Sequence, residues 1–177
     1  MKILLHICCA PCLIYPFEQL NKKGMHVQGY FYNPNIYPIS EYKKRRDALV
    51  AFSAAKNIDI LYPEYSSLDF LSVVKENELS PQRCAICWGL RLKRTAQVAK
   101  ENNFDLFSTT LLVSPYQDQA MLKKIGMDIA KDTGIPFFYE DFRPGFRKAQ
   151  DQARKEGIYR QKYCGCIYSI EEAASLP

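Results

Sequence analysis

KILLHICCAPC, residues 2–12, joins a short apolar run to a Cys-Ala-Pro-Cys turn at the start of the chain. An apolar run of this length that stops at a turn predicts a β-strand covered on both faces. The run contains His6, ends at Pro11 and is followed by no polar cleavage region, so we interpret it as a strand and not as a secretion signal. The next stretch predicts a helix that ends at Gly24.

The rest of the chain continues this alternation of strand and helix. Strands separated by helices predict a parallel sheet with helices on both faces. We therefore predict a single α/β domain over residues 1–177, with a mostly parallel five-stranded sheet and a cysteine-bearing C-terminal segment. The later strands are predicted at 26–32, 58–62, 104–110 and 135–139. The helices are predicted at 13–23, 40–57 (capped by Ser40), 68–78, 82–102, 117–133, 146–156 and 171–175.

The composition is that of a folded, water-soluble domain. Of the 177 residues, 47% are hydrophobic and 24% are charged, and no apolar run reaches the roughly 18 residues that a membrane span needs. The net charge of +5 permits a nucleic-acid partner but does not establish one, because the clustering of the charges matters more than their sum. Without an export signal we expect a cytoplasmic protein, in which thiols stay reduced.

Seven cysteines are more than a domain of this size needs for folding. Their spacings suit thiolate ligands, and the candidate metals are zinc and iron–sulfur. The pair Cys84 and Cys87 and the pair Cys164 and Cys166 do not have the matched spacing of a zinc ribbon. A four-iron cluster would leave three thiols for a second metal, a redox disulfide or direct reaction. The groups are Cys8, Cys9 and Cys12; Cys84 and Cys87; Cys164 and Cys166.

Three polar or cysteine-bearing segments follow predicted strands. The first is the Cys8–Cys12 turn, the second is Asn33-Pro34-Asn35, and the third is Thr109-Thr110. Because ligands of parallel α/β sheets bind outside the carboxyl ends of the strands, these segments predict one site at that edge. The remaining two cysteine groups would reach it from a helix and from the C-terminal segment.

Five segments, spread over almost the whole chain, form an ordered set of motifs. They are HICCAPC (6–12), RCAICW (83–88) with Arg91-Leu92, STTLL (108–112) with SPYQ (114–117), Asp141-Phe142-Arg143 and YRQKYCGCIYS (159–169). In this order they resemble the motifs of the QueH family of epoxyqueuosine reductases. One variation is Pro144, where a more basic continuation after Arg143 is expected.

This resemblance implies a nucleotide α-hydrolase-like (HUP-like) fold and a specific reaction. The enzyme would reduce the epoxide of epoxyqueuosine at the tRNA wobble position to give queuosine, with electrons from an unidentified donor. It also implies a [4Fe-4S] cluster and an adjacent second metal, a mononuclear iron or another divalent ion. As a working partition, Cys84, Cys87 and Cys166 with Cys8 or Cys9 hold the cluster. The other N-terminal cysteines, Cys164 and Asp141 hold the second metal.

Further residues are candidates for catalysis and substrate binding. Proton delivery would need an acid, and direct attack on the epoxide would need a thiolate. A modified base would be read by stacking and by edge contacts, and its phosphates by basic side chains. The candidate acids are Tyr116, Tyr163 and His6, and the candidate thiolate is Cys12. Asn33, Asn35 and Gln117 are candidates for base or ribose contacts, and the candidates for stacking are Trp88, Tyr116 and Tyr163. Phosphate contacts are assigned to Arg45, Arg46, Arg91, Arg94, Arg143, Arg147, Arg160 and Lys162.

Two other functions fit parts of the pattern. An iron–sulfur-dependent tRNA sulfur-transferase of similar fold usually activates its base with ATP, but here Cys9-Ala10-Pro11-Cys12 replaces a glycine-rich phosphate loop. A zinc-stabilised RNA-binding module without catalysis would leave three thiols unexplained.

Overall fold

The computed structural model describes residues 1–174 and contains a four-stranded parallel sheet in the order β3-β2-β1-β4. Helices surround this sheet, so the α/β prediction is confirmed and is consistent with a HUP-like fold. The strands are β1 (Lys2–His6), β2 (His26–Tyr30), β3 (Ile60–Leu61) and β4 (Leu106–Thr109). The α-helices are α1 (Ala10–Lys22), α2 (Ile39–Lys56), α3 (Ser67–Val74), α4 (Gln82–Glu101), α5 (Gln119–Thr133), α6 (Phe146–Lys155) and α7 (Ile167–Ala174).

The strand β1 lies between two hydrogen-bonded neighbours, and this explains its apolar sequence. Leu5 is paired with Gly29 of β2 on one side and with Ser108 of β4 on the other. Its residues from Ile3 to His6 are fully buried. A central parallel strand has no solvent-facing side, so alternation of polar and apolar residues is not expected in it.

The predicted fifth strand over 135–139 is wrong, because within residues 1–174 this segment makes only one isolated bridge, between Phe107 and Phe137. Pro136 accepts a hydrogen bond from the Phe107 amide at 3.1 Å, and the Phe138 amide donates to the Phe107 carbonyl at 2.9 Å. Proline has no N–H to donate, so it limits the ladder that this segment can form. The segment therefore lies beside β4 at the edge of the sheet, but it does not form a strand.

Helix starts differ from the predictions where the capping residue was misread. Ser40 is not the cap of α2, because that position is occupied by Pro38 and Ser40 lies in the first turn. Helix α5 begins two residues later than predicted, because Asp118 caps it by accepting from the Met121 amide at 2.9 Å. Helix α1 begins at Ala10, with Cys9 as its N-cap residue. The predicted end of the last helix at Ser175 lies outside the described residues.

The strand order places a topological switch point between β1 and β4. The chain passes from β1 to β2 and β3 on one side, then crosses to β4 on the other. Loops that leave neighbouring strands in opposite directions open a crevice at such a point. The Cys8–Cys12 turn leaves β1 there, and Thr110 follows β4. Within residues 1–174 no helix is both long enough and apolar enough to cross a membrane.

Candidate metal centre

Three cysteine side chains converge where β1 ends and α1 begins. The Sγ atoms of Cys8, Cys9 and Cys12 all lie within 4.8 Å of one another, and all three residues are buried. The Sγ atoms of Cys8 and Cys9 are 3.8 Å apart. Two thiolates bound to one tetrahedral metal ion at about 2.3 Å would be separated by about 3.8 Å. The group therefore has the chemistry and the spacing to bind a metal ion.

Local sequence explains this convergence. Pro11 fits the first turn of α1, because a helix needs no amide donor from that position. Cys9 is the N-cap residue and Cys12 lies in the first turn, because α1 begins at Ala10 and not at the predicted residue 13. The chain therefore reverses at the end of β1, and the free amides of the helix start lie on the same side as the thiols.

Cys8 is held by the loop that follows β4. The Thr110 hydroxyl accepts a hydrogen bond from the Cys8 amide at 3.2 Å and donates to Cys8 Sγ at 3.5 Å. The amide Nδ2 of Asn33 donates to the Ile7 carbonyl at 2.8 Å. The end of β1 is thus fixed from the ends of both neighbouring strands, which confirms that the strand ends meet at one edge.

The three thiols do not share the same protonation preference. Hydrogen bonds from Cys12 and Cys9, with a further one from Thr110, hold the pKa of Cys8 well below the ordinary value. Burial raises the pKa of Cys9, and hydrogen bonding to Cys8 raises that of Cys12. These shifts favour a thiolate at Cys8 over one at Cys9 or Cys12, and a metal ion would displace the protons that the thiols hold.

The other four cysteines lie on α4 and on the C-terminal segment. Cys87 and Cys166 are both buried and belong to one small apolar cluster with Phe70 and Val74. Burial raises the pKa of Cys87 to about 11, and Cys164 and Cys84 are near enough to add to this effect. These contacts bring the helix pair close to the C-terminal pair, as expected.

Cys164 and Cys166 form a close pair of their own. Their Sγ atoms are 4.0 Å apart, and the Cys164 Sγ lies 3.4 Å from the Ser169 hydroxyl oxygen. A hydrogen bond from Cys166 lowers the pKa of Cys164 to about 5, with a further contribution from the positive charge of Arg91. All seven cysteines are free thiols.

Only Cys8, Cys9 and Cys12 meet the spacing of a single-ion site within residues 1–174. The four remaining cysteines and Asp141 join no such group there. The ligands of a four-iron cluster bind different iron atoms, so they need not share the coordination sphere of one ion. The structure therefore gives one compact three-thiol group and two further pairs.

Two of the arginines assigned to tRNA phosphates are buried, and that part of the prediction is wrong. Arg45 is 1% exposed and Arg91 is 5% exposed. Arg91 lies beside the cysteines, with its Nε donating to the Cys87 carbonyl at 3.3 Å. The other six basic residues of that assignment are exposed: Arg46, Arg94, Arg143, Arg147, Arg160 and Lys162.

His6 is a buried structural residue in this fold. Its Nε2 lies 3.1 Å from the Tyr32 carbonyl oxygen, so this nitrogen carries the proton. Its Nδ1 accepts from the Thr109 hydroxyl at 2.9 Å, and that hydroxyl in turn accepts from the Leu111 amide. Burial and the nearby Arg91 charge lower the His6 pKa to about 3. A neutral imidazole with both nitrogens engaged is a poor source of protons.

The two candidate tyrosines differ in environment. The Tyr163 hydroxyl donates to the Tyr37 carbonyl oxygen, so its proton is engaged in this hydrogen bond. Tyr116 is 83% exposed, with its ring packed edge-on against Phe146. Within the described residues its hydroxyl makes no hydrogen bond. Trp88 is buried and packs in the core.

Asp141 forms a bidentate pair with Arg143 at the surface. Its two carboxylate oxygens accept from Arg143 Nε at 2.8 Å and from Nη2 at 2.6 Å. The hydrogen bonds from Arg143 lower the pKa of Asp141. Metal binding by Asp141 would therefore compete with this pair.

The predicted amides lie in the loops that follow β2 and β4. Asn33 and Asn35 are each 2% exposed, and the Oδ1 atom of each is buried without a hydrogen-bond partner in the described residues. Gln117 is half-buried, whereas Gln119 is buried with its Oε1 unpaired. Unpaired buried oxygens cost free energy, which is why such atoms usually mark a water or ligand contact.

Sequence reasoning placed Thr110 at the edge of the site without a specific contact, assigned no role to Gln119, and misplaced Arg45. Thr110 was visible only as a polar residue at a strand end, and its contact with Cys8 spans 102 positions of the chain. For Arg45, the signal was Glu41 four residues earlier on α2, a spacing at which opposite charges pair. That spacing predicts the pair but not its burial.

Comparisons with known proteins agree with the motifs. The model of the family described as Epoxyqueuosine reductase QueH matches residues 3–172. Relatives with that name include the protein of Thermotoga maritima, 36% identical over 178 residues, which cover 96% of this chain and 91% of the relative. The protein of Dehalococcoides mccartyi is 35% identical over 177 residues, covering 99% and 96%. That of Streptococcus pyogenes is 33% identical, covering 96% and 71%.

Proposed function

Because the chain belongs to the epoxyqueuosine reductase QueH family, we propose that its cysteine-lined strand edge is the site at which the epoxide of epoxyqueuosine is reduced. The observation that carries the activity is the family match over residues 3–172. The protein is an oxidoreductase that acts on tRNA. The reaction takes up two electrons and two protons, breaks both C–O bonds of the epoxide, and yields an alkene and water.

The donor chemistry at this edge fits the metal groups that we propose. Three buried thiols at single-ion spacing and two further thiol pairs form a soft, sulfur-only donor set. We propose that Cys84, Cys87, Cys166 and either Cys8 or Cys9 hold a [4Fe-4S] cluster. The remaining N-terminal thiols, Cys164 and Asp141 hold a mononuclear iron or another divalent ion. When bound, these groups supply single electrons and a Lewis acid.

Substrate contacts come from the ends of β2 and β4. The unpaired buried Oδ1 atoms of Asn33 and Asn35 are acceptors for the base or ribose. Gln117 adds an amide from the loop after β4. The exposed Tyr116 ring is available to stack on a base that has left the anticodon loop. These side chains bind and orient the substrate.

We assign proton delivery to two tyrosine hydroxyls. Tyr116 holds a hydroxyl proton that is free of other hydrogen bonds within residues 1–174, whereas Tyr163 must first release the Tyr37 carbonyl. Cys12 is the residue for the competing route. Hydrogen bonding to Cys8 raises its pKa, so it must first lose its proton before the thiolate attacks the epoxide carbon and opens the ring. A stable Cys12–nucleoside adduct seen by mass spectrometry would favour that route.

Exposed arginines provide the phosphate contacts. Arg143 and Arg160 are both exposed, and Arg160 is four residues before Cys164. This places a positive charge next to the cysteine segment in the chain, where an anticodon backbone would pass. We place the enzyme in the cytosol, because tRNA and reduced thiols are both found there.

The decisive experiment uses the full chain after anaerobic reconstitution with iron and sulfide. It is incubated with epoxyqueuosine-containing tRNA and a chemical reductant, and the nucleosides are analysed by mass spectrometry. We expect brown protein and queuosine without added ATP, and loss of both colour and product in Cys87→Ser. Ser72→Ala on α3 is the matched control, because it also alters a single γ atom of one side chain.

Three results would contradict the proposal. Absence of queuosine from brown, reconstituted protein would remove the reductase assignment. A strict requirement for ATP with sulfur appearing in the base would favour a sulfur-transferase. Colourless protein that binds tRNA and contains stoichiometric zinc would favour a binding module.

A further inference from the structure

A buried arginine connects α2 to the C-terminal cysteine segment. Nη1 of Arg45 donates to the Cys164 carbonyl at 3.0 Å, and Nη2 donates to the Tyr163 carbonyl at 3.0 Å. Its Nε donates to Glu41 Oε1 at 2.7 Å. The fork of one guanidinium thus grips two consecutive carbonyl groups of a segment 118 to 119 positions away in the chain.

The partner of this arginine is itself tied to the same segment. The second carboxylate oxygen of Glu41 accepts from the Tyr159 hydroxyl. Glu41 is 6% exposed, so the ion pair is taken out of water. A buried pair is tolerated only when its hydrogen bonds are well satisfied, and here Tyr159 and the two carbonyl groups provide those bonds. If the C-terminal cysteine segment undocks, the ion pair of Glu41 and Arg45 loses these hydrogen-bond partners.

The segment is shaped to accept this contact. Gly165 has a φ of +123°, and a Cβ atom there would lie 3.1 Å from Arg45 Nη1 and 3.1 Å from Ile36 Cγ1. Its carbonyl accepts from the Tyr37 amide at 2.8 Å. Only glycine combines this backbone conformation with so close an approach. The residue between the two cysteines is therefore set by the docking contact.

The same guanidinium also faces the N-terminal cysteines. Arg45 is near enough to Cys9 to interact with it electrostatically. The C-terminal segment contributes no strand to the sheet within residues 1–174, so the ladder does not hold it in place. The segment is held instead by the Tyr37–Gly165 backbone bond, by the packing of Cys166 against Phe70, and by the side-chain hydrogen bonds of Arg45.

We propose that Arg45, held by Glu41, is a positioning residue that docks residues 159–166 onto α2 and so brings Cys164 and Cys166 to the cysteines at the sheet edge. This rests on the proposed function in one respect, that Cys164 and Cys166 are ligands of the site. The docking itself requires no substrate and no metal.

The test is alkylation of the metal-free full chain by N-ethylmaleimide, followed residue by residue with mass spectrometry. Cys166 is the reporter, because it is 4% exposed when the segment is docked. In Arg45→Met we expect its rate to rise about tenfold or more, the factor for one lost charge-assisted hydrogen bond. Cys12 Sγ lies 3.8 Å from Nε2 of Gln161 in the same segment, so its rate should rise with that of Cys166. Cys8 and Cys9, which hold the end of β1, should show no comparable rise. Lys44→Met, an exposed neighbour on α2, is the matched control.

Two further variants keep the inference testable if Arg45→Met folds poorly. Tyr159→Phe removes only one hydrogen bond to Glu41 and should give a smaller, selective rise at Cys166. Arg45→Lys retains the charge without the fork, and it should restore only part of the protection. Unchanged Cys166 rates in all three variants would overturn the proposal, as would an equal rise at every buried cysteine in each of them.

A spectroscopic readout separates this inference from the proposed function. Cd²⁺ bound to thiolates gives a charge-transfer absorption whose intensity grows with the number of thiolates bound. When both variants are titrated with Cd²⁺, Arg45→Met should lose the same part of this absorption as the double variant Cys164→Ser, Cys166→Ser. Wild-type absorption in Arg45→Met would overturn the docking role. Failure of the reductase assay alone would leave both docking readouts unaffected.

Discussion

Replacing Thr110 by valine should loosen the three-cysteine group without changing its composition. The Thr110 hydroxyl accepts from the Cys8 amide at 3.2 Å and donates to Cys8 Sγ at 3.5 Å. Valine keeps the shape of threonine but has no hydroxyl. The buried Cys8 amide is then left without a partner, which costs about 1–3 kcal/mol, and the longer sulfur contact adds a smaller amount.

A loss of about 2 kcal/mol from the free energy of unfolding is measurable. For a chain of this length it corresponds to a fall in Tm of about 4–8 °C. The assay is thermal unfolding of the metal-free protein, followed by circular dichroism. Thr95→Val is the matched control: Thr95 is equally buried, but its hydroxyl donates only to the Arg91 carbonyl of its own helix. That carbonyl keeps its helical amide partner, so little change is expected.

The same substitution should weaken metal binding. The Thr110 hydroxyl is one of the donors that lower the pKa of Cys8, so its loss makes the Cys8 thiolate less favourable. A metal ion must then displace a proton from a larger fraction of the Cys8 side chains, which weakens binding. A competition titration with Zn²⁺ and a chromophoric chelator measures this affinity. If Thr110→Val and Thr95→Val had the same Tm and the same Zn²⁺ affinity, the reasoning about the loop after β4 would be refuted.

Three other substitutions test the packing, the acidic ligand and the tRNA surface. In Gly126→Ala the new Cβ would lie 2.4 Å from the Phe137 ring, so the free energy of unfolding measured in urea should fall by about 1–3 kcal/mol. Gly89 lies on a helix with open space around it, so Gly89→Ala should raise the free energy of unfolding by about 0.5–1 kcal/mol. Asp141→Asn should lower the metal content after reconstitution if Asp141 leaves its arginine for the metal. Full metal content, measured by elemental analysis, would limit Asp141 to its surface pair. Arg160→Glu should weaken tRNA binding and reduce its salt slope by about 1 in filter binding, and an unchanged slope would remove Arg160 from the interface.

Much of the site followed from local sequence because strand ends in a parallel sheet meet at one edge. The runs after β1, β2 and β4 were recognisable from their residues, and the structure brings Cys8, Asn33 and Thr110 together as expected. A helix after the Cys8–Cys12 turn was also predicted, although α1 begins at Ala10 and therefore includes Cys12. In these cases the deciding interactions lie within a few residues, or in the general geometry of the sheet.

The errors arose where a distant partner decides the outcome. The run over 135–139 has the apolar, aromatic composition of a strand, yet whether it pairs depends on Phe107 and on the missing amide of Pro136. Ser40 has the residue type of a helix cap, but the helix begins one residue earlier. Both patterns are ambiguous on their own, because the same residues satisfy more than one local arrangement.

By itself, the sequence determined the α/β class, the seven thiols in three groups and the motifs of the family. Those properties depend on residue type and spacing, which the chain carries along its length. Only the tertiary structure decided which polar side chains are buried and what they hold. Arg45 and Arg46 are adjacent basic residues, but one lies under the C-terminal segment and the other is exposed. The difference comes from where α2 faces the rest of the fold, and a pattern of charges alone does not contain that information.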